Sequence, residues 1–441
     1  MKNKIAVITL GCSKNQVDSE VMCGLLEQRY EITEDPAEAD VILVNTCTFI
    51  EEAKKESIES ILEMVDYKEK GTCKKLIVAG CMAQRYSKEL REEIPEIDEI
   101  IGTGDVPNII HILDQPGSHS LSSPQASAYI FDEKLPRKQL TPRHFAYVKI
   151  AEGCNHGCTF CVIPQVRGGF RSRTEASIVN EAEKLVEQGV REIMLIAQDT
   201  TCYGVDLHGE QRLPQLIRKL AAISELKWIR LLYCYPDFFS GQLIEAIKNE
   251  PKVCQYVDIP LQHADERVLK AMNRRGTAAK ARALLAELRA AMPEITIRTT
   301  FITGFPGETE KEFQTLLAFV KEVEFDHLGV FAYSQEESTP AGQRKDQLPQ
   351  EIRENRKEQL MQLQQEIVLR RQQRKLGKTL EVILDEKLPD GRWLGRGRGD
   401  APEIDGQVYV TTKSRIVEPG EIVAVLIKEA DCYDLLGDIV G

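Results

Sequence analysis

The sequence predicts an α/β protein of several domains: an N-terminal parallel α/β domain, an open partial (β/α)6 barrel, and a small antiparallel β-barrel at the C-terminus. Three observations predict it. Apolar strand-like runs alternate with helix-compatible stretches through the first 374 residues, as in parallel sheets with crossover helices. A stretch rich in Pro, Gly and Ser at residues 116–143 divides that alternation into two unequal parts. From residue 375 the pattern changes to short runs separated by Asp-Gly turns. The predicted divisions are therefore 1–115, a linker at 116–143, 144–374 and 375–441.

In the first division an apolar run ends on a cysteine three times. Ile5 to Leu10 precedes Gly11-Cys12, Val41 to Val44 precedes Asn45-Thr46-Cys47, and Leu76 to Ala79 precedes Gly80-Cys81. Helix-compatible stretches lie between the runs, at Gln16 to Arg29 and Glu51 to Lys70. Ligands gather at the carboxyl ends of parallel strands, where all three cysteines fall. A single cysteine there is more often a core residue than a ligand, but three at equivalent ends favour a shared metal site. Gly11 and Gly80 allow the tight turns that such a site needs.

In the third division six strand candidates alternate with amphipathic helices: Phe145–Ile150, Glu192–Gln198, Trp228–Cys234, Tyr256–Gln262, Thr296–Thr303 and His327–Ser334. Six units fall short of the eight that close a barrel, so an open side and a site at the carboxyl strand ends are expected. A charged, Gln-rich helix follows from Leu348 to Arg374. The last division has strand candidates at Leu380–Leu384, Gln407–Val410 and Ile422–Ile427. Small barrels of this kind often bind nucleic acid, yet residues 375–441 hold nine Lys/Arg against thirteen Asp/Glu. That balance argues against a phosphate-binding surface, with the stretch Gly391 to Arg398 as the local exception.

Composition narrows the class. With 42% hydrophobic and 29% charged residues, disorder is excluded as the dominant state, and the net charge of −12 favours a basic partner over nucleic acid. The N-terminal apolar run of six residues is too short for a secretory segment or a membrane span. A cytoplasmic location is expected, with no membrane partner. There the twelve cysteines read as ligands, catalytic groups or core residues, not disulfides.

The strongest chemical signal is Cys154-Asn-His-Gly-Cys-Thr-Phe-Cys161, directly after the first barrel strand. Three thiolates within eight residues suit three irons of a [4Fe-4S] cube and leave the fourth open. Structural zinc wants four ligands, and only His156 is at hand as a fourth. The spacing, with Phe160 before the third cysteine, resembles the radical S-adenosylmethionine (SAM) superfamily. That resemblance implies SAM chelated at the open iron and cleaved to a 5'-deoxyadenosyl radical, with the Phe160 backbone meeting the adenine. Further candidates for holding SAM are polar residues near the later strand ends: Gln198, Asp199, Gln262, His263 and Arg298. Each has an equally good structural reading. No side-chain acid or base is expected to be catalytic, since no Ser/His/Asp arrangement is evident. Cys23, Cys73, Cys202, Cys234, Cys254 and Cys432 share no spacing and read as structural.

Over its whole length the sequence resembles the radical SAM methylthiotransferases, which are built from an N-terminal cluster domain, a radical SAM barrel and a C-terminal TRAM domain. The matching residues are Gly11-Cys-Ser-Lys-Asn-Gln-Val-Asp-Ser-Glu20, Asn45-Thr-Cys47, Gly80-Cys81, Glu152-Gly-Cys-Asn155, Ala197-Gln-Asp-Thr-Thr201, Asp258-Ile-Pro-Leu-Gln-His263, Gly304-Phe-Pro-Gly-Glu-Thr309 and Gly329-Val-Phe-Ala-Tyr-Ser-Gln-Glu336. The closer branch is the one that modifies an aspartate of the decoding-site protein of the small ribosomal subunit. The tRNA-modifying branch typically has Gln-Met where this chain has Ser13-Lys14, although Ser13 itself replaces the proline usual in the ribosomal branch.

The resemblance implies two [4Fe-4S] clusters, on Cys12/Cys47/Cys81 and on Cys154/Cys158/Cys161. It implies SAM as both methyl donor and radical source, a sulfide or persulfide as sulfur donor, and an electron-donor protein. The expected partner is the ribosomal protein, free or in the ribosome. DNA is not expected, and tRNA is disfavoured by charge. The rival readings are a tRNA adenosine methylthiotransferase and a non-catalytic iron-sulfur or RNA-binding module; the latter predicts no SAM cleavage.

Overall fold

A computed structural model describes residues 2–115, 129–412 and 415–440. Strands β1 (Lys4–Thr9), β2 (Glu31–Thr33), β3 (Val41–Thr46), β4 (Lys75–Ala79) and β5 (Glu99–Ile101) form one parallel sheet in the order β2-β1-β3-β4-β5. The central strand β3 is buried at every residue, as a strand covered on both faces must be. Ile61 and Met64 of the helix Glu51–Lys70 pack on one face, and Val21 and Leu26 of the helix Ser13–Leu26 on the other. The cysteine-bearing strands β1, β3 and β4 are immediate neighbours. Strands lie about 4.8 Å apart, so this order alone gathers Cys12, Cys47 and Cys81 at one edge.

The middle of the chain contains β6 (Phe145–Lys149), a short ribbon of β7 (Ala151–Glu152) and β8 (Arg171–Ser172), then β9 (Glu192–Ile196), β10 (Trp228–Leu231), β11 (Val253–Asp258), β12 (Thr296–Thr303) and β13 (His327–Ala332). Strands β6-β9-β10-β11-β12-β13 lie side by side, all parallel, and the described residues do not pair β13 back to β6. The open six-stranded barrel is thus present. Side chains alternate as a two-residue period requires. Ala146, Val148, Ile193 and Leu195 pack outward with the helices, while Phe145, Tyr147, Met194 and Ile196 line the inner face.

The C-terminal barrel closes in the order β14 (Thr379–Lys387), β15 (Trp393–Gly397), β16 (Val408–Thr411), β18 (Leu435–Ile439), β17 (Ile422–Ala430). Its pairs are antiparallel except β16 with β18, which is parallel. This barrel seats against the amino-terminal ends of the middle strands, opposite the cysteine loop. Glu192, the first residue of β9, receives Arg230 at 2.9 Å and Arg396 of β15 at 2.7 Å with no exposure. Nearby, the Tyr147 and Tyr256 hydroxyls donate to Glu403 and Asp405. The Gly391–Arg398 stretch is therefore not a free basic surface: Arg396 is buried on Glu192 and Asp385, and Arg398 donates to the Pro251 carbonyl.

Of the predicted linker, residues 116–128 lie outside the described residues. From Tyr129 onward it is an extended strap. Phe131 is buried in the N-terminal core, and Arg137 pairs with Glu20 at 2.5 Å and with Glu181 of the barrel, tying the two domains together. No helix of the described residues is long and apolar enough to cross a membrane.

Candidate functional site: two cysteine triads and the charges between them

The loop from Cys154 to Cys161 leaves the carboxyl end of β6 through Gly153 and Gly157, both at positive φ (80° and 65°), a conformation glycine adopts at little cost. The barrel grips it from several sides. Thr159 donates its N–H to the Met272 carbonyl and its hydroxyl to Ala271, Ala341 donates to the Thr159 carbonyl, and Asn273 donates to Gly157. The Cys161 N–H donates back to the Cys158 carbonyl, and the three thiols lie near enough to act on one another electrostatically. Burial first, and the neighbouring Cys158 after it, push the Cys154 thiol up to about 11 and the Cys161 thiol up to about 12. Ionising such thiols together is favourable only when a bound cation compensates their charge.

This donor set fits an iron-sulfur cube and not tetrahedral zinc. His156, the fourth ligand that the motif offers, is engaged elsewhere: its Nε2 lies 2.6 Å from Asp199 and its ring stacks on Tyr235 at 3.9 Å. His156, Asp199 and Cys202 themselves bring donor atoms within 4.8 Å of one another. Asp199, however, is saturated by the N–H groups of Thr201 and Cys202 and the Thr201 hydroxyl, and the Cys202 thiol is driven far up by burial and by Asp199. The group acts as a buttress for the cysteine loop.

In the N-terminal domain Gly11 (φ 88°) passes so close to Cys47 that an added Cβ would sit 2.6 Å from the Cys47 Cβ. Cys81 opens the short helix Gly80–Arg85, its Sγ 3.7 Å from Asn15 Oδ1. Cys12 is exposed, whereas Cys47 and Cys81 are buried. Although part of the Cys12 surface is exposed, the protein packed around its thiol would raise it; the Lys14 ammonium, the Arg167 guanidinium and the N–H groups of Asn15 and Lys14 outweigh that and hold Cys12 below its ordinary value. Burial raises Cys47 and takes Cys81 up to about 12, each reinforced by the neighbouring cysteines, which marks the three as one electrostatic unit. Three soft donors, with no fourth beside them among the described residues, suit the same kind of cluster.

A buried charge network joins the two triads. Arg167 ends the helix Ile163–Arg167 that follows the Cys161 loop, and it donates to Asn15 at 2.6 Å, beside Cys81. The same guanidinium meets Asp18 at 3.0 Å and Glu152 at 3.1 Å, which share Lys149 at 2.5 and 2.8 Å. Gln198 donates to Glu152 at 2.6 Å. Two cations against two carboxylates make the network neutral, which is how buried charge is tolerated. Substituting Arg167→Met removes one cation and leaves Asp18 and Glu152 to Lys149 alone. The expected cost is about 3–5 kcal/mol, seen as a melting temperature lower by roughly 10 °C. A shift of only a degree or two would show that the network bears no stability.

A second clamp lies at the rim. Arg85, four residues after Cys81, donates to Glu336 at 2.6 Å, and Lys54 reaches the same carboxylate at 3.3 Å.

The remaining predicted SAM contacts do not all converge. Phe160 is half-buried against Phe305 and Tyr333. Gln198 at the end of β9 keeps a buried Oε1 with no hydrogen-bond partner, an acceptor available to an amino group. Gln262 holds a left-handed φ of 72° while its backbone bridges to Phe301 of β12. His263 accepts from the Asp265 N–H at Nδ1, which leaves its Nε2 facing Glu308 at 3.3 Å. Arg298 stands apart. It is the third residue of β12, on the floor side, and it pairs with Asp405 at 3.2 Å and Asp258 at 3.6 Å instead of facing the cysteine loop.

Residues 4–102 match the Uncharacterized protein family UPF0004, residues 148–320 the Radical SAM superfamily, and residues 376–440 the TRAM domain. The chain is 55% identical over 442 aligned residues to the ribosomal protein uS12 methylthiotransferase RimO of Desulfitobacterium hafniense, covering 100% of this chain and 99% of that one. It is 49% identical to the protein of the same name in Geobacter sulfurreducens (100% and 99% covered), and 48% identical to that in Clostridioides difficile (99% of each). Among solved structures, the radical SAM methyltransferase TsrM of Kitasatospora setae, with cobalamin and a [4Fe-4S] cluster bound, shares the fold at a TM-score of 0.55, 17% identity and coverage of 78% and 77%. The cobalamin-dependent SAM radical enzyme OxsB shares it at 0.54, with 12% identity and coverage of 82% and 56%.

Proposed function

The chain belongs to the RimO family of ribosomal protein uS12 methylthiotransferases, and from that premise we propose that it attaches a methylthio group to the Cβ of an aspartate in uS12. The observation that carries the reading is the pair of cysteine triads facing each other across a buried, neutral charge network.

When bound, a cluster on Cys154, Cys158 and Cys161 supplies the electron that splits SAM into methionine and a 5'-deoxyadenosyl radical, and one on Cys12, Cys47 and Cys81 holds the sulfur to be methylated and transferred. The residues do the rest. Cys154, Cys158 and Cys161 donate three thiolates, and the grip of Thr159 and Asn273 keeps the loop from rearranging. The Phe160 backbone, Gln198 and Gln262 are assigned to hold SAM, with Gln198 Oε1 accepting from its amino group. His263 completes the wall through Glu308 and Arg356. Asp199 orients His156, and Arg298 anchors the lumen floor. Phe305 and Tyr333 pack behind Phe160 and exclude water from the radical. The sulfur source is a sulfide or persulfide, and an electron-donor protein supplies the reductant.

Charge supports a basic protein, not tRNA, as acceptor. The chain carries −12, its C-terminal barrel is acidic, and of the arginines in the Gly391–Arg398 stretch Arg396 is buried on Glu192, Arg398 donates to the Pro251 carbonyl and Arg392 pairs with Asp390 at the surface. The enzyme is placed in the cytoplasm, where its substrate is made. Mass analysis of ribosomal proteins from cells lacking this chain tests the reading: uS12 should lose 46 Da, roughly the mass of one methylthio group replacing hydrogen. Retention of the modification there would make the substrate assignment wrong.

A further inference from the structure

Seven lysines and arginines are fully buried among the described residues, and six of them have a carboxylate within 3.0 Å. Lys149 and Arg167 meet Asp18, Arg173 meets Glu181, Arg230 and Arg396 meet Glu192, and Arg356 meets Glu308. The seventh is Lys14. It is 6% exposed, yet among the described residues its ammonium makes no hydrogen bond and no ion pair. Its direct contact is the face of Tyr233, 2.9 Å from the ring centroid, while Cys12 and Asp258 act on it without a hydrogen bond to either. A cation taken out of water with an aromatic face as its direct contact and no hydrogen-bonded anion is under-compensated, and the shortfall is one that a bound anion removes.

Where Lys14 stands makes that anion specific. It lies two residues after Cys12, in the first turn of the helix Ser13–Leu26, and leans on a residue just beyond the carboxyl end of β10. Tyr233 is held there at a φ of 58°, unusual for a non-glycine residue, with its N–H bonded to Asp258 at 3.0 Å and its hydroxyl 3.4 Å from Ser13. Backbone strain of this kind persists where surrounding structure fixes it, and here it presents the ring that positions the ammonium. The cation therefore sits on the side of the Cys12 triad that faces the barrel, where an acceptor must enter to reach both cysteine groups.

We propose that Lys14 is a specificity residue that binds the side-chain carboxylate of the acceptor aspartate. The inference rests on the substrate reading above and goes beyond it by naming the group that recognises the side chain. In aspartate the carboxylate is one bond from Cβ, so fixing it fixes the carbon to be modified. An uncharged asparagine offers no such handle, and the extra methylene of glutamate misplaces Cβ.

The test compares affinities of the anaerobically reconstituted enzyme for unmodified uS12 and for the same protein with the acceptor aspartate replaced by asparagine. Native enzyme should prefer aspartate by about tenfold or more, the scale of a desolvated charge pair. In Lys14→Met that ratio should collapse toward one, while Lys14→Arg keeps most of it. An unchanged ratio in iron-replete Lys14→Met would overturn the assignment, since a lysine that merely supports the Cys12 triad would weaken both proteins equally. Should Lys14→Met fail to fold or load, the native enzyme decides: absence of any preference for aspartate over asparagine rejects the role of Lys14 alone. Binding of neither protein by native enzyme rejects the substrate reading, and this assignment with it.

Discussion

Alanine at Cys158 is expected to abolish SAM cleavage and product formation together, by about a thousandfold or more, as loss of a group made only for the reacting state does. The argument is one of missing donors. Two thiolates cannot hold three irons, and no nearby side chain can substitute. His156 is fixed by Asp199 at 2.6 Å and by its stack on Tyr235, and Cys202 is half-buried beside Asp199 with a thiol that resists ionisation. Nor can the loop reshape itself, because Thr159 binds to the backbone of residues 271–272 and the Asn273 side chain holds the Gly157 carbonyl. Iron per chain should fall by about half after reconstitution, with one of two four-iron sites lost. Iron analysis and chromatography of 5'-deoxyadenosine check both points; substantial cleavage by the variant would mean the loop is not the radical site.

Cys12→Ala should separate the two activities. Methylthiolated product is expected to vanish, while 5'-deoxyadenosine still forms within about tenfold of the native rate, since the cleavage apparatus keeps its ligands. Cys12 sits in a different domain and on a different sheet from Cys154 to Cys161, and Arg167 with its carboxylates stands between them. A variant that loses cleavage as completely as it loses product would argue against separate roles for the triads.

Much of this arrangement is legible in the sequence, for identifiable reasons. The strands of the open barrel and the three cysteine-bearing strands are long apolar runs, and their ends fall where glycine and cysteine follow. The edge strands Glu31–Thr33 and Glu99–Ile101 are not legible: three residues cannot display a period, and pairing to a neighbour makes them strands. Two strands of the C-terminal barrel are concealed by glycine. Gly395 and Gly437 look like breaks, yet a Cβ at either would stand 2.5 Å from a carbonyl of the adjoining strand, so glycine is what lets the small barrel close.

At the site, the cysteines announce themselves by spacing, whereas Asp18, Lys149, Glu152 and Arg167 do not. Asp18 and Lys149 are 131 residues apart in sequence, and neither lies in a pattern that names its partner. A signal was available in the helix Ser13–Leu26, which is buried along nearly its whole length yet includes Lys14, Asn15, Asp18 and Glu20; buried polar residues in such numbers demand partners. Arg298 misleads for a related reason. Its strand is eight residues long, and a side chain near its start serves the opposite end of the lumen from one near its finish.

The seating of the C-terminal barrel bears on how this chain can be re-engineered. Its contacts with the middle domain are not a flexible tether but a set of matched ion pairs and hydrogen bonds: Arg396 with Glu192, Asp405 with Tyr256 and Arg298, and Glu403 with Tyr147. A chimera that imports this barrel from a distant relative would leave Glu192 to Arg230 alone and Arg298 to Asp258 alone. Grafting therefore succeeds only when the strand-start residues travel with the module, which makes the two domains one unit of inheritance despite their separate folds.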